Sequence, residues 1–590
     1  MTSSSISRAT ILDVLLGLEK CTDFGARFIS RNGDATYFTY SAVLEESLKV
    51  AADLRQRGLR RGQVIGIILP TSIDFLRAFL GVQLAGGIPT ALYPPFRLGK
   101  LDEYFGRTSR MLRRVESPLL ISDRRTRTLL GPVVHQTSSL RDVVDVAELG
   151  KHSADWSPVE ASPDDIAFLQ FSSGTTVEPK AVEITHRNLL ANLDMMNSFL
   201  AGITREEARN GAVCWLPLYH DMGLVGCMYM GLYRPGTVSY IGPDTFIARP
   251  HIWLQSLSEY KAVISPAPDF AYGLCLSRIK DEDMEGADLS SWRYALNGAE
   301  PINTNVMEQF AERFSKWGFR KNALTPVYGL AEAVLGVSFS DPEKPPRVTE
   351  FSSQELGLGK AIPGKGRRIP SVGKPVPGLS LEIRDPQGRP VEEGIIGRIF
   401  IKGPSVARGY YRSPDMTAQT FKDGWLDTGD LGFLYQGELY ISGRVKDLII
   451  IRGRNYTPQE IEELLLDVPG LRTGCAVAVS TPGDSGEELV ILAERKVDTD
   501  LTDESLAEAI RDAILKGISL IPAHVRILEP GTLPRTSSGK MRRSEALRMF
   551  QQEQLKAPQQ GRLHLVKEIA RSQAAWMGVW LRKRRETDDS

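Results

Sequence analysis

The sequence predicts an α/β fold: a large N-terminal domain with parallel-sheet α/β subdomains and a β-rich subdomain, followed by a small C-terminal α+β domain. Three observations support this prediction. Short apolar runs alternate with helical patterns over the N-terminal half, which is typical of a largely parallel sheet. After about Pro345, short strand-like runs separated by turns take over. The length of 590 residues also exceeds what one hydrophobic core usually organises, so two or more domains are expected.

The N-terminal elements follow from the spacing of apolar residues. Between Ser41 and Gly58 these residues recur at helical spacing, and Gly58 stands where a C-terminal cap would lie. The run VIGIIL, which begins at Val64 and is followed by Pro70, predicts a buried strand. The next segment, DFLRAFLGVQLAGG, predicts a helix that ends in glycine. Further strands are predicted at PLLIS, IAFLQF, AVCWLP, KAVISP and RYALNG.

The second half predicts smaller units. The segment 352–378 is rich in Gly, Pro and Lys and predicts a loop, whereas LSLEIRD, GRIFIKG and GELYISG predict strands of a β-rich subdomain. Beyond GRVKDLIIIRGRN, helices are predicted near 458–466 and 504–516, with strands at GCAVAVS, ELVILAER and HVRILE. We therefore predict a large domain over 1–445, a small domain over 446–550 and a helical basic tail over 551–590.

Composition excludes several classes of protein. Lys+Arg and Asp+Glu both number 72, so no overall charge favours nucleic acid as a partner. The five cysteines lack CxxC spacing, which predicts buried reduced thiols rather than disulfides or a zinc site. The N-terminal residues show no basic start followed by an apolar run, and no apolar stretch approaches ~20 residues. A cytoplasmic protein is expected.

The stretch FSSGTTVEPKAVEITHRN, which begins at Phe171, joins a glycine- and hydroxyl-rich turn to the end of a predicted strand. Backbone N–H groups of such a turn can converge on phosphate oxygens, and Lys180 adds a cation nearby. The turn residues are Ser172, Ser173, Gly174, Thr175 and Thr176. The pattern matches neither GxxxxGK[ST] nor GxGxxG. Alone, it is more often an ordinary turn than a phosphate site.

Four other stretches contain candidate functional side chains. Glu332 in YGLAEA is either a solvated carboxylate or one that holds Mg²⁺ beside a triphosphate. Asp430 in DGWLDTGDLG lies in a glycine-bounded turn and either stabilises that turn or accepts ribose hydroxyls. GRVKDLIIIRGRN concentrates basic side chains around an apolar strand, and LPRTSSGKMRR places Lys540 in a flexible loop. Each stretch alone has an unremarkable structural interpretation.

In this order, however, the five stretches resemble signature motifs of the adenylate-forming superfamily of acyl-CoA synthetases, luciferases and adenylation domains, over about residues 30–543. Within it, ALYPPFR, WLPLYHDMGLVG, SPAPDFAYGLC, DLSSWRYALNGAEPI and VYGLAEAVLG are similar to fatty acyl-AMP ligases. That subfamily carries a characteristic insertion where 345–370 lies here. SVGKPVPG is closer to the general acyl-CoA synthetase form, so a long-chain acyl-CoA synthetase is the alternative.

The resemblance implies a reaction and its participants. A fatty carboxylate attacks the α-phosphate of ATP, pyrophosphate leaves, and the acyl group passes to the phosphopantetheine thiol of a carrier protein rather than to free coenzyme A. ATP and Mg²⁺ are the implied cofactors. The mobile small domain would turn about Lys446 between the two half-reactions.

The resemblance also implies roles for individual residues. Lys540 would neutralise the reacting carboxylate and α-phosphate, Lys180 and the turn at 172–176 would bind the outer phosphates, and Glu332 would bind Mg²⁺. Asp430 would hold the ribose, with Arg444 as a second ribose or phosphate contact. The adenine would be bordered by Asn297, Gly298, Ala299, Tyr328 and Gly329, with Tyr328 stacking on it.

The acyl chain is expected near His220, Phe270 and Tyr272. His220 would sit at the mouth of the acyl tunnel, although a hydrogen-bonded core histidine is the alternative. An amino-acid pocket would need an acidic partner for the amine, and Asp269 could be mistaken for one. Its neighbours Phe270 and Tyr272 suit an alkyl chain better.

Two features leave alternatives open. Val177 and Ala181 stand where the superfamily usually has glycine, and an added Cβ stiffens a phosphate turn. A catalytically weak lipid- or nucleotide-binding relative is therefore a second class of function. In the tail, apolar residues from Leu565 to Trp580 predict a partly amphipathic helix followed by the basic run 582–585. This helix could pack back on a domain, dock a carrier protein or touch a membrane surface.

Overall fold

The computed structural model of the chain describes residues 9–95, 101–151, 156–172, 179–451, 454–483, 486–536, 540–557 and 571–576. Within these residues, two large sheets and a β-rich layer form the N-terminal part, and a smaller sheet with its own helices forms the C-terminal part.

The first large sheet contains most of the parallel strand pairs. In spatial order its strands are β17 (Lys374–Pro375), β14 (Gly336–Phe339), β13 (Leu324–Gly329), β12 (Tyr294–Asn297), β11 (Ile264–Ala267), β9 (Ala212–Cys214), β10 (Val238–Ile241), β1 (Gly25–Ile29) and β2 (Ala35–Thr39). The pairs from β1 through β13 are parallel, and the strands added at the two edges are antiparallel. The carboxyl ends of the parallel strands therefore meet along one edge, where α/β proteins bind ligands.

The second large sheet packs beside the first. Its order is β6 (Asp142–Asp145), β5 (Leu119–Ser122), β3 (Val64–Ile68), β4 (Ile88–Ala91), β7 (Ile166–Phe171) and β8 (Ala181–Thr185). The pairs are parallel except β7–β8, which is antiparallel. All strands predicted from apolar runs up to residue 298 are present, so that part of the prediction is confirmed.

Helices cover both sheets. They are α1 (Ile11–Leu16), α2 (Tyr40–Gln56), α3 (Ile73–Leu84), α4 (Leu101–Arg114), α5 (Arg124–Leu129), α6 (Gly131–Gln136), α7 (His186–Phe199), α8 (Arg205–Asn210), α9 (Asp221–Gly223), α10 (Met230–Tyr233), α11 (Pro243–Ala248), α12 (His251–Glu259), α13 (Asp269–Arg278) and α14 (Thr304–Phe314). A π-helical turn, Leu224–Tyr229, joins α9 to α10. Both helices predicted near the N-terminus are confirmed as α2 and α3, and Gly58 has a φ of 88° just beyond α2. Only glycine and a few polar residues adopt that conformation readily.

The predicted β-rich subdomain is also confirmed. Its sheet contains β18 (Ser380–Arg384), β19 (Gly397–Lys402), β20 (Phe421–Lys422), β21 (Trp425–Tyr435) and β22 (Glu438–Arg444), with α16 (Pro414–Thr420) beside it. The pairs are antiparallel throughout, which agrees with the short alternating runs of the sequence.

The prediction of a loop at 352–378 is wrong. This region contains α15 (Ser353–Gly357), β16 (Gly366–Pro370) and β17, and β16 pairs in antiparallel register with β15 (Val348–Ser352). We call the segment 348–370 the hairpin insert. Phe351 is fully buried there against Phe433 and Tyr440. The Gly-, Pro- and Lys-rich composition concealed this order, because the buried aromatic ring gains its partners only from distant strands.

The C-terminal region has the predicted pattern. A short pair, β23 (Ile449–Ile451) and β24 (Arg454–Tyr456), precedes the sheet of β25 (Leu471–Gly483), β26 (Gly486–Arg495) and β27 (His524–Leu528), which packs with α17 (Pro458–Glu463), α18 (Asp503–Ile518) and α19 (Arg543–Gln551). A 3₁₀ turn, Val445–Asp447, separates β22 from β23. Arg542 contacts Glu103 of α4 at 2.6 Å, which ties this region to the large domain. The domain boundary at 445/446 stays a prediction.

Residues 571–576 of the tail are helical and pack back on the large domain, where the side chain of Ser572 is fully buried against α5 and α6. Of the apolar residues on which the amphipathic helix was predicted, Trp576 is the one among the described residues. Four cysteines, Cys214, Cys227, Cys275 and Cys475, are buried free thiols, whereas Cys21 is only partly buried. A search of the described helices found none with the length and apolar character needed to cross a membrane.

Candidate functional site

A cavity of about 510 Å³ opens at the carboxyl ends of the parallel strands, between the two large sheets, the β-rich layer and Lys540 of the C-terminal region. One part is polar and is lined by Ser172, Lys180, Glu332, Thr428, Arg444 and Lys540. The other part, which we call the acyl arm, is lined by apolar side chains of α7, the π-helical turn, β14 and the strands β9, β11 and β12. His220 and Asp221 also line the cavity.

Asp430 is nearly completely buried and does not itself line the cavity, whereas its neighbour Gly429 and its partner Arg444 do. Arg444 donates a hydrogen bond from Nε to Asp430 Oδ1 at 2.9 Å, and the Tyr328 hydroxyl donates to Oδ2 at 2.7 Å. Asp430 raises the pKa of Arg444, and burial raises the pKa of Tyr328 well above its usual range. Both side chains that face this carboxylate therefore keep their protons at neutral pH.

The prediction that Asp430 lies in a glycine-bounded turn is wrong. Asp430 lies inside β21 and pairs directly with Arg444 of β22, next to a register shift at Leu431/Gly432. Gly429, with a φ of 73°, provides the local bend that the sequence suggested. Asp430 pairs across the sheet with Arg444, which lies 14 residues further along the chain, and this pairing makes the rest of the segment a regular strand.

Glu332 lies in a 3₁₀ turn, Ala331–Ala333, just beyond the end of β13. Its Oε1 accepts a hydrogen bond from the Tyr410 hydroxyl at 2.8 Å. The Lys180 ammonium lies 4.9 Å from the centroid of the same tyrosine ring. Tyr410 therefore contacts the carboxylate through its hydroxyl and the cation through its ring face, and all three residues line the cavity.

Lys540 reaches the cavity from the C-terminal region. Its backbone N–H donates to Thr536 Oγ1 at 3.0 Å, and its carbonyl accepts from the Thr536 N–H at 2.8 Å. Burial lowers the pKa of Lys540 from the ordinary 10.5, while the carboxylate of Asp221 opposes that shift. The side chain thus places a weakly solvated cation in the cavity wall.

Asp221 and His220 form a pair in the wall of the same cavity, where Asp221 interacts electrostatically with Lys540. His220 Nδ1 lies 2.6 Å from Asp221 Oδ1, which also accepts from the Met222 N–H at 2.7 Å. Burial raises the pKa of Asp221, but its interactions with His220, with the Lys540 ammonium and with the Met222 N–H outweigh burial and leave the net pKa lowered. Asp221 is therefore ionised and stabilises Lys540 in the cavity.

The predicted phosphate turn connects the antiparallel strands β7 and β8. The Ser172 N–H donates to the Lys180 carbonyl at 3.0 Å, which closes the base of the turn. Ser173, Gly174, Thr175, Thr176 and Val177 lie outside the described residues. Ala181 pairs with Phe171 as the first residue of β8 and is buried. Alanine at 181 is therefore a sheet residue that suits its position.

The residues predicted near the adenine separate into two groups. Ala299, Tyr328 and Gly329 line the cavity, and Ala299 has a φ of 69°, an uncommon conformation for alanine. Asn297 and Gly298 do not line it. The Asn297 amide donates to Asp269 Oδ1 at 3.0 Å.

The buried position of Asp269 determines whether its carboxyl group is charged. Burial raises the pKa of Asp269 to about 8, so this carboxyl is mostly neutral at pH 7. The side chain is buried behind the end of β12 and does not line the cavity. It therefore lacks the charge and the position to bind a substrate amine, in agreement with the choice of an acyl over an amino-acid substrate.

The expected contribution of α13 to the acyl pocket is corrected. Tyr272 is fully buried in an aromatic cluster with Trp292 and Phe310, and its hydroxyl donates to the Leu296 carbonyl at 3.3 Å. Phe270 packs edge-on against Trp215. Neither side chain lines the cavity, because α13 lies against α14 rather than against α7. His220 does line it, and its place at the mouth of the acyl arm stays a prediction.

Lys446, the predicted hinge, lies in the 3₁₀ turn between β22 and β23 and lines the cavity. Burial lowers its pKa. Its role as a hinge stays a prediction. Sequence reasoning did not single out Asp221 or Tyr410, although the adjacency of Asp221 to His220 was a usable signal.

The cavity lies at one edge of the parallel strands and combines polar and apolar side chains with a lysine from the C-terminal region. This arrangement is that of an adenylate-forming enzyme, and solved structures of the same architecture include such enzymes. Residues 20–411 match the family model described as AMP-binding enzyme, and residues 446–560 match one described as Disco-interacting protein 2-like, AMP domain. The chain therefore belongs to the AMP-binding enzyme family.

Individual relatives are similar over most of their length. A putative acyl-CoA synthetase from Caulobacter vibrioides is 33% identical over 86% of this chain and 89% of its own. The 4-hydroxyphenylalkanoate adenylyltransferase of Mycobacterium marinum is 31% identical, covering 88% and 87%. The long-chain-fatty-acid–AMP ligase FadD26 of the same species is 32% identical, covering 88% and 92%. A solved structure from a study of fatty acyl-adenylate ligases from E. coli and L. pneumophila has a TM-score of 0.86 at 34% identity, covering 92% of this chain and 98% of that one.

Proposed function

We propose that the protein is a fatty acyl-AMP ligase, which activates a fatty acid with ATP to the acyl-adenylate, releases pyrophosphate, and transfers the acyl group to a carrier-protein phosphopantetheine thiol. One observation carries the proposal. A single cavity is lined both by polar side chains suited to phosphate, with Lys540 among them, and by a set of apolar side chains. Relatives named as fatty-acid–AMP ligases and acyl-adenylate ligases support it.

The first half-reaction needs two anions brought together. The fatty carboxylate attacks the α-phosphorus of ATP, and the bond to the pyrophosphate oxygen breaks. The Lys540 ammonium, kept in place by Asp221, would neutralise the carboxylate and the charge that develops on the α-phosphate. Lys180 and the Ser172 turn would receive the leaving pyrophosphate.

The nucleoside would be held by the network around Asp430. A carboxylate already oriented by Tyr328 and Arg444 can accept ribose hydroxyls without losing its geometry. Arg444 would be the second ribose or phosphate contact that the sequence suggested. The adenine would lie along Ala299, Tyr328 and Gly329.

Glu332 fits a role in binding Mg²⁺ with ATP. Among the residues that the structure describes, no three acidic, cysteine or histidine side chains are grouped so that they could hold a metal ion. Mg²⁺ commonly binds through one or two carboxylates together with substrate phosphates, and Glu332 supplies such a carboxylate beside Lys180. When bound, the ion would offset charge on the phosphates.

The proposed acceptor rests on the hinge and the hairpin insert. Arg367 of the insert donates to Thr457 Oγ1 at 3.1 Å and lies 3.7 Å from Glu463, both in the C-terminal region. Its neighbour Arg368 forms a bidentate pair with Glu308 of the large domain. The insert thus bridges the two domains and would resist the rotation about Lys446 that builds a coenzyme A site. An acyl-CoA synthetase is the alternative.

A two-stage assay tests the proposal. The protein is incubated with radiolabelled fatty acid, ATP and Mg²⁺, and products are separated before and after addition of coenzyme A or a holo carrier protein. Accumulation of acyl-AMP that the carrier consumes and coenzyme A barely consumes is expected. Rapid acyl-CoA synthesis would promote the alternative, and no adenylate with any acid would favour a lipid- or nucleotide-binding protein. We expect a cytoplasmic location, where ATP and free thiols are found.

A further inference from the structure

A short segment, residues 404–411, joins two parts of the cavity wall that are far apart in the sequence. We call it the bridging segment; it lies between β19 and α16. The Ala407 N–H donates to the Glu332 carbonyl at 2.8 Å, and the Gly409 carbonyl accepts from an N–H of β8 at 2.9 Å. The bridging segment therefore ties the turn that carries Glu332 to β8, the strand that begins directly after Lys180.

Tyr410 of the bridging segment contacts both of these functional residues with one side chain. Its hydroxyl donates to Glu332 Oε1 at 2.8 Å, and the Lys180 ammonium lies 4.9 Å from the centroid of its ring. The ring packs edge-on against Phe421, with centroids 5.6 Å apart, and the Tyr410 N–H donates to Thr417 Oγ1 at 2.9 Å. Because ring and backbone are both held, Tyr410 is a fixed support for the carboxylate and the ammonium.

The direction of the hydrogen bond to Glu332 follows from the environment of Tyr410. Burial and the neighbouring Glu332 carboxylate raise the pKa of Tyr410 above its ordinary value of 10, so the hydroxyl keeps its proton and acts as a donor to Oε1. No donor among the described residues reaches the other oxygen, Oε2. One oxygen of Glu332 is therefore oriented by the protein and the other is left for a divalent cation that accompanies phosphates.

Lys180 and Glu332 carry opposite charges and line one cavity, yet in the described structure they do not pair with each other. A direct ion pair would occupy the ammonium that a phosphate needs and the carboxylate that a cation needs. Tyr410 instead attracts the ammonium to its ring face and gives its hydroxyl proton to the carboxylate. Each charge is thus stabilised separately and neither is neutralised.

We infer that Tyr410 is a positioning residue that prevents Lys180 and Glu332 from pairing, so that the ammonium stays available for phosphate and the carboxylate for a divalent cation. This inference rests on the proposed function, because it assumes that ATP binds in this cavity. Tyr410 takes part in no bond-making step and acts only through its two neighbours.

The first experiment removes the hydroxyl and keeps the ring. Binding of α,β-methylene ATP, which cannot release pyrophosphate, is measured by calorimetry over a titration with Mg²⁺, so the readout needs no turnover. In Tyr410→Phe the metal-free affinity should be retained, since Lys180 keeps its ring. The Mg²⁺ concentration that gives half of the metal-dependent gain in affinity should rise roughly tenfold, because Glu332 loses a hydrogen bond to its charged group.

Tyr411→Phe is the matched control for this experiment. Tyr411 is the next residue along the chain, and its ring lies 5.5 Å from the Arg412 guanidinium rather than against Lys180 or Glu332. Its side chain does not line the cavity. The Mg²⁺ dependence of Tyr411→Phe should equal that of the unaltered protein.

The second experiment tests the pairing itself. Tyr410→Leu removes both the hydroxyl and the ring, so Lys180 and Glu332 are free to pair, and the metal-free affinity for the analogue should fall about tenfold. Adding Glu332→Gln should restore it, because no carboxylate is left to pair with Lys180. The gain from Glu332→Gln should be much smaller when Tyr410 is present, so the two substitutions should not be additive.

The outcomes separate this inference from the proposed function. No binding of the analogue by the unaltered protein would refute the proposed function. Binding with the same Mg²⁺ dependence in Tyr410→Phe, or a metal-free affinity that Glu332→Gln raises equally with and without Tyr410, would overturn the inference and leave nucleotide binding standing. Loss of metal-free binding in Tyr410→Phe would also overturn it, since that result would assign Tyr410 to the fold alone.

Discussion

Arg444 and Asp430 face each other across neighbouring strands, with Arg444 Nε 2.9 Å from Asp430 Oδ1. The aspartate is nearly completely buried and its second oxygen accepts from Tyr328. Because each carboxylate oxygen already has a donor, the carboxylate cannot rotate. Of the two residues, Arg444 lines the cavity and Asp430 is buried behind it.

Replacing Asp430 with Asn should weaken nucleotide binding more than it weakens the fold. The amide keeps the shape but loses the charge that both Arg444 and a ribose would use, and a hydrogen bond to a charged group is worth about 2 kcal/mol. We expect the KM for ATP to rise by roughly thirtyfold. Tyr328→Phe, which leaves the carboxylate charged, serves as the control and should raise it by less. Equal ATP KM values in Asp430→Asn and the unaltered protein would contradict the proposed ribose contact.

Lys540→Ala should lower acyl-AMP formation by about two to three decades, since one cation placed against the reacting phosphate lowers the barrier by several kcal/mol. The KM for ATP should change little, because Lys540 belongs to the C-terminal region. Single-turnover formation of acyl-AMP measures the effect. A variant that keeps nearly full adenylation would show that Lys540 has another role.

The pH profile gives an independent check on the same residue. Burial lowers the pKa of Lys540, so its ammonium is lost at a lower pH than the ordinary 10.5. Adenylation that needs the ammonium should be present below that lowered pKa and decline as pH rises through it. Lys540→Arg retains its charge, so any residual activity should extend to higher pH. An alkaline limb that is unchanged in Lys540→Arg would assign the titration to another group.

Arg367→Ala should make coenzyme A a better acceptor without reducing adenylation. The change removes the contacts of the hairpin insert with Thr457 and Glu463, so the C-terminal region turns more freely. We expect acyl-CoA formation from preformed acyl-AMP to rise at least severalfold. The control is Arg389→Ala, whose pair with Asp385 lies on the surface away from both domains' contact. An increase in acyl-CoA formation in both variants, or in neither, would show that the hairpin insert does not control the choice of acceptor.

Gly131→Ala should release the tail from the large domain. A Cβ at Gly131 would lie 2.3 Å from the Ser572 carbonyl oxygen, whereas in the native chain the Gly131 N–H donates to the Ser572 hydroxyl at 3.0 Å. Trypsin should therefore cleave near Arg571 much faster in the variant. Gly106→Ala in α4 is the matched control, because its Cβ would meet only Arg110 at 3.6 Å. Equal cleavage rates would show that residues 571–576 are not anchored there.

The sequence alone determined the strand and helix pattern and the residues that meet in the polar part of the cavity. VIGIIL and IAFLQF form buried strands because continuous apolar runs suit strands covered on both faces. Lys180, Glu332 and Lys540 were recognisable because phosphate chemistry requires charged residues in short, ordered motifs.

Tertiary structure alone decided where the apolar arm lies and how the hairpin insert folds. Phe270 is as apolar as Phe199 and Phe339, and composition predicts only that such side chains pack against the core. Which of them face a cavity depends on the packing of α7 against β14 through Asn192, a contact between residues 144 positions apart. The physical reason is that burial is a property of one side chain and its solvent, whereas a cavity is a property of several elements and the distances between them.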